Sequence, residues 1–317
     1  MNKILITGCF GFVGSHWLDF LLSKGNYQIT GIDIKDCHLK YKDIKNFNFK
    51  KISIFENQKM EELVKSNDYI FQFAAIPTPS VYLTDPIKIM DITAVQAIAI
   101  TKMCNKHNKT IFFTSTSEIY GKNTKIPYKE SSDRVLGSTD TLRWCYSSSK
   151  ALVEHYIKAY HFKEDLNYVI FRLFNVYGTN LEGRVIDKFI INALQNKKIT
   201  VYEKGHQTRC FLEIDDCVSA FYKIFKNKNL YNKTYNVGSD TQTKIIDLAK
   251  MIINLTNSKS EIEYISYNEL SKSGYEDMFL RVPDSSLLIN STDWESAVSL
   301  ETGLIKMIKE LKNKYEL

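Results

Sequence analysis

No stretch of this chain is apolar for long enough to cross a bilayer, because Gly, Lys or Asp interrupts every candidate. The opening run Lys3-Ile4-Leu5-Ile6-Thr7 is also too short for a secretory leader, so membrane contact is not expected and the cytoplasm is the expected compartment. The six cysteines (9, 37, 104, 145, 210 and 217) contain no Cys-x-x-Cys pair, and the six histidines show no ligand spacing. That excludes the common zinc and dithiol motifs and predicts reduced, mostly buried thiols with no metal site. Internal repeats and low-complexity tracts are missing as well. So is charge of one sign: the net +6 is the difference between 42 basic and 36 acidic residues scattered along the chain. The clusters Lys106-His107-Asn108-Lys109 and Lys226-Asn227-Lys228-Asn229 read as solvated helix ends, where cations suit the helix dipole. Nucleic acid is therefore not an expected partner, whereas small anions are compatible with the mild excess. With 317 residues and 44% hydrophobic content, the chain can form one large domain or two moderate ones around a substantial core.

Lys3–Thr7 is a short, apolar, strand-like run, followed at once by Gly8-Cys9-Phe10-Gly11-Phe12-Val13-Gly14 and the apolar helix pattern from Ser15 to Leu22. Strand, glycine loop and helix in that order form a dinucleotide fingerprint. Gly8 permits a tight turn, Gly11 lets backbone approach a pyrophosphate, and Gly14 lets helix and strand close up, while free amides at the helix start (Phe10, Phe12 and Val13 flank them) bind phosphates. A second strand from Tyr27 ends at Asp33, the expected distance past the loop for a ribose-binding acid, which favours NAD over NADP. Asp68–Ala75 reads as a buried strand closing on small residues, so that Ala74 lets a flat cofactor approach. A helix over 87–106, a strand at Thr110–Thr114 and another at Tyr168–Phe174 continue the alternation. This pattern predicts an α/β fold, a Rossmann-type doubly wound parallel sheet with ligands at the carboxyl ends of its strands.

Tyr146 and Lys150 stand four apart in a segment with helical apolar spacing at Leu152, Val153, Tyr156, Ile157 and Tyr160, so one helix face carries both. A cation close to a phenol favours the phenolate, which makes Tyr146 a candidate base. Beyond residue 175 the pattern shortens into a smaller mixed lobe. Ile199–Tyr202 reads as a strand, Gly205–Arg209 as a polar loop, Thr243 as the N-cap of the helix holding Ile246 and Leu248, and 302–311 as a closing helix. The expected division is 1–174 for the dinucleotide-binding domain, with a strand and helix near 207–237 returning to it, and 175–317 mainly for the substrate lobe.

Taken together, Thr7-Gly8-x-x-Gly11-x-x-Gly14, Asp33, Ser115-Thr116-Ser117-Glu118-Ile119-Tyr120-Gly121, Tyr146-x-x-x-Lys150, Arg172-Leu173-Phe174-Asn175-Val176-Tyr177-Gly178, Gln207-Thr208-Arg209 and Arg281-Val282-Pro283-Asp284 resemble the extended short-chain dehydrogenase/reductases that modify nucleotide sugars. Ser115–Glu118, Arg143-Trp144 and Gly274-Tyr275-Glu276-Asp277 leading to Arg281 look most like the UDP-glucuronate decarboxylases of that family. The resemblance implies NAD as cofactor, Thr116, Glu118, Tyr146 and Lys150 as catalytic, with Tyr146 and Lys150 also binding the cofactor, and Ser117, Asn175, Arg184, Tyr202, Arg209 and Arg281 around a UDP- or GDP-linked sugar. It also implies a homodimer and a place in surface polysaccharide synthesis. Thr93, Gln72 and Ser53 depart from the family pattern, at positions where Asn, His and an acid are common.

The implied chemistry is oxidation of the sugar at C4, from which decarboxylation, dehydration, epimerisation or release of the ketosugar can each follow. A C4 dehydrogenase, epimerase or 4,6-dehydratase therefore stands beside the decarboxylase reading. A non-catalytic dinucleotide sensor would not need Thr116, Tyr146 and Lys150 together, and a nucleic-acid-binding relative would need a basic face.

Overall fold

The computed structural model describes residues 1–266, 278 and 280–316. Its strands are β1 (Asn2–Thr7), β2 (Tyr27–Asp33), β3 (Phe47–Lys51), β4 (Tyr69–Gln72), β5 (Thr110–Thr116), β6 (Tyr168–Leu173), β7 (Val176–Tyr177), β8 (Ile199–Tyr202), β9 (Thr208–Cys210), β10 (Leu212–Glu213), β11 (Lys233–Val237), β12 (Gln242–Lys244) and β13 (Ile262–Ile265). The helices are α1 (Phe12–Lys24), α2 (Asn57–Ser66), α3 (Pro79–Thr84), α4 (Pro86–Met90), α5 (Ala97–Lys106), α6 (Trp144–Glu164), α7 (Val185–Leu194), α8 (Ile214–Phe225), α9 (Ile245–Thr256), α10 (Ser286–Thr292) and α11 (Leu300–Tyr315). None of them is long and apolar enough to cross a membrane.

Two compact units divide the chain: 1–119, 145–172 and 221–235 form the first, and 120–144, 173–220 and 236–317 the second. In the first, seven strands make one sheet in the order β11-β6-β5-β4-β1-β2-β3. The pairings of β1 with β2 and β4, of β2 with β3, and of β4 with β5 are parallel, so this is the Rossmann-type α/β sheet. Strands covered on both faces must be apolar at successive positions, and Ile4, Leu5 and Ile6 are all fully buried. On one face Leu5, Ile70, Ile111, Phe113 and Ile170 pack with Val64, Ile100, Val153 and Ile157 of α2, α5 and α6. The opposite face is aromatic: Phe71 stacks on Phe112 at 4.4 Å and Phe171 on Phe221 at 4.3 Å, with Trp17 4.9 Å from Phe71.

The second unit holds three two-stranded ribbons, β7 with β10, β8 with β13, and β9 with β12. Its helices bury Ile190, Leu248, Ile252, Leu304 and Met307. Residues 120–144 go with this unit rather than with the sheet on which a boundary at residue 174 would place them. The reason is local bonding: Tyr128 N–H donates to Val282 O and Asp284 N–H to Tyr128 O, both at 2.8 Å, and Tyr120 Oη donates to Asn236 Oδ1 at 2.7 Å.

Three local expectations change. The expected helix over 87–106 is interrupted by a π-helical turn at Asp91–Gln96 between α4 and α5. Thr243 lies in β12, and α9 starts from Lys244 instead. Arg209 sits on β9, paired across the ribbon with Thr243, rather than in a free loop.

Candidate active site

β1 ends at Thr7 and the chain turns at Gly8, whose φ of +67° is one that L side chains rarely adopt. Gly11 N–H donates to Gly8 O at 3.0 Å and Ser15 N–H to Gly11 O at 2.9 Å, which sets the start of α1. No side chain caps this end. The first-turn amides of Phe12, Val13 and Gly14 therefore have no intrahelical carbonyl to reach, and they sit at the positive end of a helix. A Cβ on Gly14 would run into the Gly8 carbonyl, and one on Gly8 would come within 3.0 Å of Ala74 backbone. Only glycine lets loop, helix start and the end of β4 approach one another in this way. Phe10 turns its ring away into a cluster with Tyr41 and Phe49 and offers the loop its backbone.

Asp33 ends β2 with its carboxylate fixed by that same loop: Oδ2 accepts from Phe10 N–H at 2.9 Å and Oδ1 from Lys35 N–H at 3.0 Å. Each oxygen keeps acceptor capacity, which suits the hydroxyl pair of a ribose. An amide cradle next to an ordered carboxylate fits a dinucleotide.

A hydrogen-bond chain ties the neighbouring strand ends together. Thr7 Oγ1 donates to Gln72 Oε1 at 2.6 Å and accepts from Phe73 and Ala74 N–H at 3.2 Å each. Thr114 Oγ1 donates to Gln72 O at 3.2 Å, and Lys150 Nζ to Thr114 O at 2.6 Å. The ends of β1, β4 and β5 and the middle of α6 are thereby held in register. Sequence reading missed this chain because it connects residues more than a hundred positions apart.

β5 ends at Thr116, whose Oγ1 accepts from Glu118 N–H at 3.2 Å, and Glu118 O accepts from Ser147 Oγ at 2.8 Å. The turn carrying Ser117 and Glu118, both buried, is thus fastened to α6. Tyr146 and Lys150 share one face of that helix, with Nζ 5.9 Å from the Tyr146 ring centre. A second ring, Tyr82 of α3, stacks on Tyr146 at 5.1 Å and 13°. Nothing in the spacing of Tyr82 foretells this. Burial drives the Lys150 ammonium down to about 7, with Glu154 pulling in the opposite direction. The arrangement sets a buried amine that titrates near neutral pH one helical turn from a phenol.

Within the second unit, Asn175 takes a φ of +37° and donates from Nδ2 to Cys210 O at 3.2 Å. Arg184 precedes α7, its N–H donating to Asp187 Oδ1 at 2.7 Å. Tyr202 closes β8 half-buried, and Arg209 is largely buried with Nη1 donating to Thr208 O at 2.8 Å. Arg281, also largely buried, acts on Tyr128, whose phenol burial pushes up and the guanidinium pulls down. The expected run Gly274–Asp277 lies outside the described residues.

A parallel sheet with a dinucleotide loop at the carboxyl end of its interior strand β1 and a Tyr–Lys pair on the helix fastened to β5 defines an NAD-using enzyme of the short-chain dehydrogenase/reductase type. The chain belongs to the NAD dependent epimerase/dehydratase family, whose profile matches residues 4–238. It is 34% identical over 97% of its length to the bifunctional polymyxin resistance protein ArnA of Wigglesworthia glossinidia brevipalpis, of which it spans 51%. It is 32% identical to the UDP-N-acetyl-alpha-D-glucosaminuronate decarboxylase of Bacillus cytotoxicus, covering 98% of this chain and 99% of that one. In fold it is similar to the UDP-glucuronic acid 4-epimerase of Bacillus cereus solved with UDP-glucuronic acid and NAD, with a TM-score of 0.88, 24% identity and coverage of 99% and 100%.

Proposed function

We propose that this enzyme oxidises C4 of a UDP-linked hexuronate and promotes loss of its C6 carboxylate. The observation that carries the reading is the fastening of α6, the helix of Tyr146, to the carboxyl end of β5 and the turn after it: Ser147 Oγ donates to Glu118 O and Lys150 Nζ to Thr114 O. Tyr146 receives the C4 hydroxyl proton, Lys150 favours the phenolate that can accept it, and Thr116 hydrogen-bonds the same oxygen as alcohol becomes ketone. NAD, held by the Gly8–Gly14 loop, Asp33 and the approach left open at Ala74, supplies the hydride acceptor. With a ketone at C4, the C6 carboxylate is that of a β-keto acid: the C5–C6 bond breaks, carbon dioxide leaves, the electron pair is taken up as the C4 enolate, and C5 then accepts a proton. Glu118 and Ser117 orient the sugar; to Asn175, Arg184, Arg209 and Arg281 we assign binding of diphosphate and carboxylate, and to Tyr202 binding of the base. The full-length similarity to a decarboxylase of a UDP-linked uronate supports this choice of substrate.

The buried Glu118 carboxylate favours one second reading, in which it removes the C5 proton and the outcome is epimerisation or dehydration. Incubation of the purified enzyme with UDP-glucuronate, UDP-N-acetylglucosaminuronate and neutral UDP- and GDP-sugars, followed by product mass and NADH absorbance, separates these. From uronates only, the expected loss is about 44 mass units without net NADH, where the hydride returns to C4, or about 46 with one NADH formed, where the 4-ketone is released. Turnover confined to neutral sugars would overturn the decarboxylase reading.

We further propose that the enzyme works as a homodimer, in the cytoplasm. Val95, Leu152 and Tyr156 are exposed apolar side chains carried by the π-helical turn before α5 and by α6, a surface that a second copy could cover. Sedimentation equilibrium is expected to give twice the 36.8 kDa chain mass, and Leu152→Glu to return it to one.

A further inference from the structure

Glu154 follows Lys150 by one helical turn, so α6 carries both side chains on one face. Both are buried, at 4% and 2% exposure. A carboxylate that deep needs a partner, and Arg172 of β6 gives it two bonds, Nη2 to Oε2 at 2.6 Å and Nε to Oε1 at 3.1 Å. Burial opposes ionisation of Glu154, but Arg172 more than offsets it, so the carboxyl lies below its ordinary range and stays charged at neutral pH. Lys158 Nζ, 3.9 Å away at the half-exposed end of the cluster, adds to the same effect.

Lys150 itself is in a different position. Its Nζ bonds to a neutral carbonyl, that of Thr114, and lies 4.6 Å from the Phe113 ring centre. Burial therefore works to strip its proton. The groups around it are Tyr146 and Glu154 on α6, Phe113 and Thr114 on β5, Arg172 on β6, which is engaged by Glu154, Glu118 in the turn tied to α6, and Tyr82 stacked on Tyr146. Of these, Glu154 is the charge that acts on Lys150, through surroundings where the field is weakly screened.

We propose that Glu154, clamped by Arg172, is a positioning residue that keeps the Lys150 amine protonated near neutral pH and so sets the pH range over which Tyr146 can accept a proton. The first half of this inference stands without substrate; the second rests on the C4-oxidation reading above.

The test labels lysine Cε with 13C and follows the Lys150 signal, identified by its absence in Lys150→Met, against pH in the enzyme without substrate. In Glu154→Gln the Lys150 midpoint is expected to fall by about one unit or more, and in Glu154→Asp to return toward the wild-type value. An unmoved midpoint in Glu154→Gln overturns the proposal. Should the single variant fail to fold, Glu154→Gln/Arg172→Met removes both charges and leaves none stranded; a downward shift is expected there too, and its absence overturns the proposal equally. With substrate, the alkaline limb of the kcat profile is expected to move with the NMR midpoint while KM holds. A shifted midpoint in an enzyme inactive on every nucleotide sugar would leave the tuning intact and refute only the function assigned to the site.

Discussion

Replacing Tyr146 with Phe is expected to lower the rate of substrate-dependent NADH formation by about 10³-fold or more while leaving the fold and both binding steps in place. Positioned proton transfer contributes on the order of 10²–10⁴ to such reactions, and the phenol is here the acceptor for the proton that must leave before a carbinol becomes a ketone. The substitution removes one oxygen and keeps the ring. Tyr146 is 5% exposed and stacked on Tyr82, so phenylalanine retains the packing and the stacking partner. Affinity for NAD, read by fluorescence titration, should change by less than about threefold, because the dinucleotide cradle is backbone of the Gly8–Gly14 loop. The melting temperature should move by no more than about 2 °C, in line with the small effects of substitutions that leave packing intact. A first half-reaction within tenfold of wild type would mean that another group takes the proton. A fall accompanied by lost NAD binding would instead make Tyr146 a binding residue.

The features legible in the sequence are those whose geometry is local. Gly8, Gly11 and Gly14 are neighbours in the chain as well as in space, and the clash that any side chain on Gly14 would make with the Gly8 carbonyl is written into a seven-residue segment. Tyr146 and Lys150 are joined by a single helical turn, so spacing alone puts them on one face. Asp33 follows from the regular length of a strand–helix–strand unit. What was hidden depends on tertiary register. Tyr82 reaches Tyr146 across 64 positions, and the Thr7–Gln72–Thr114–Lys150 chain crosses three strands and a helix. Glu154 stands one turn beyond Lys150 in the sequence, but only the structure brings Arg172 of β6 onto its carboxylate. Residues 120–144 bond to 236, 282 and 284, sequence partners that no local pattern connects, and for that reason they join the second unit. Spacing over 87–106 predicts ordinary helix through Asp91–Gln96 because the single extra residue of a π-helical turn barely disturbs apolar periodicity. Arg209 looked like a loop donor because its polar neighbours concealed a three-residue strand.

Lys150→Met is expected to remove activity and yet make the protein harder to unfold at acidic and neutral pH. The buried amine titrates near 7 in the folded chain against an ordinary value of 10.5, so between those limits the unfolded chain binds more protons than the native one. Stability contributed by this site consequently rises as pH increases from about 7 to about 10.5 and is at its lowest below 7, where a charged ammonium must be buried. Over that span the linkage amounts to about 5 kcal/mol. Methionine fills a similar volume without charge but leaves the Thr114 carbonyl without its donor, a loss of roughly 1–3 kcal/mol. The net expectation at pH 6 is a gain of about 2 kcal/mol in urea unfolding, shrinking to zero or below by about pH 10, where the wild-type amine is neutral and still bonded. In the same variant the NADH-forming rate should fall by at least about 10²-fold, since Tyr146 loses the cation that favours its phenolate. Lower stability than wild type at pH 6, or a difference that does not change between pH 6 and pH 10, would show that the lysine is not carried as a buried charge. The opposite signs of the two effects are the point of the measurement: a residue kept for the fold weakens it when removed, whereas one kept for proton chemistry at a buried site can strengthen it.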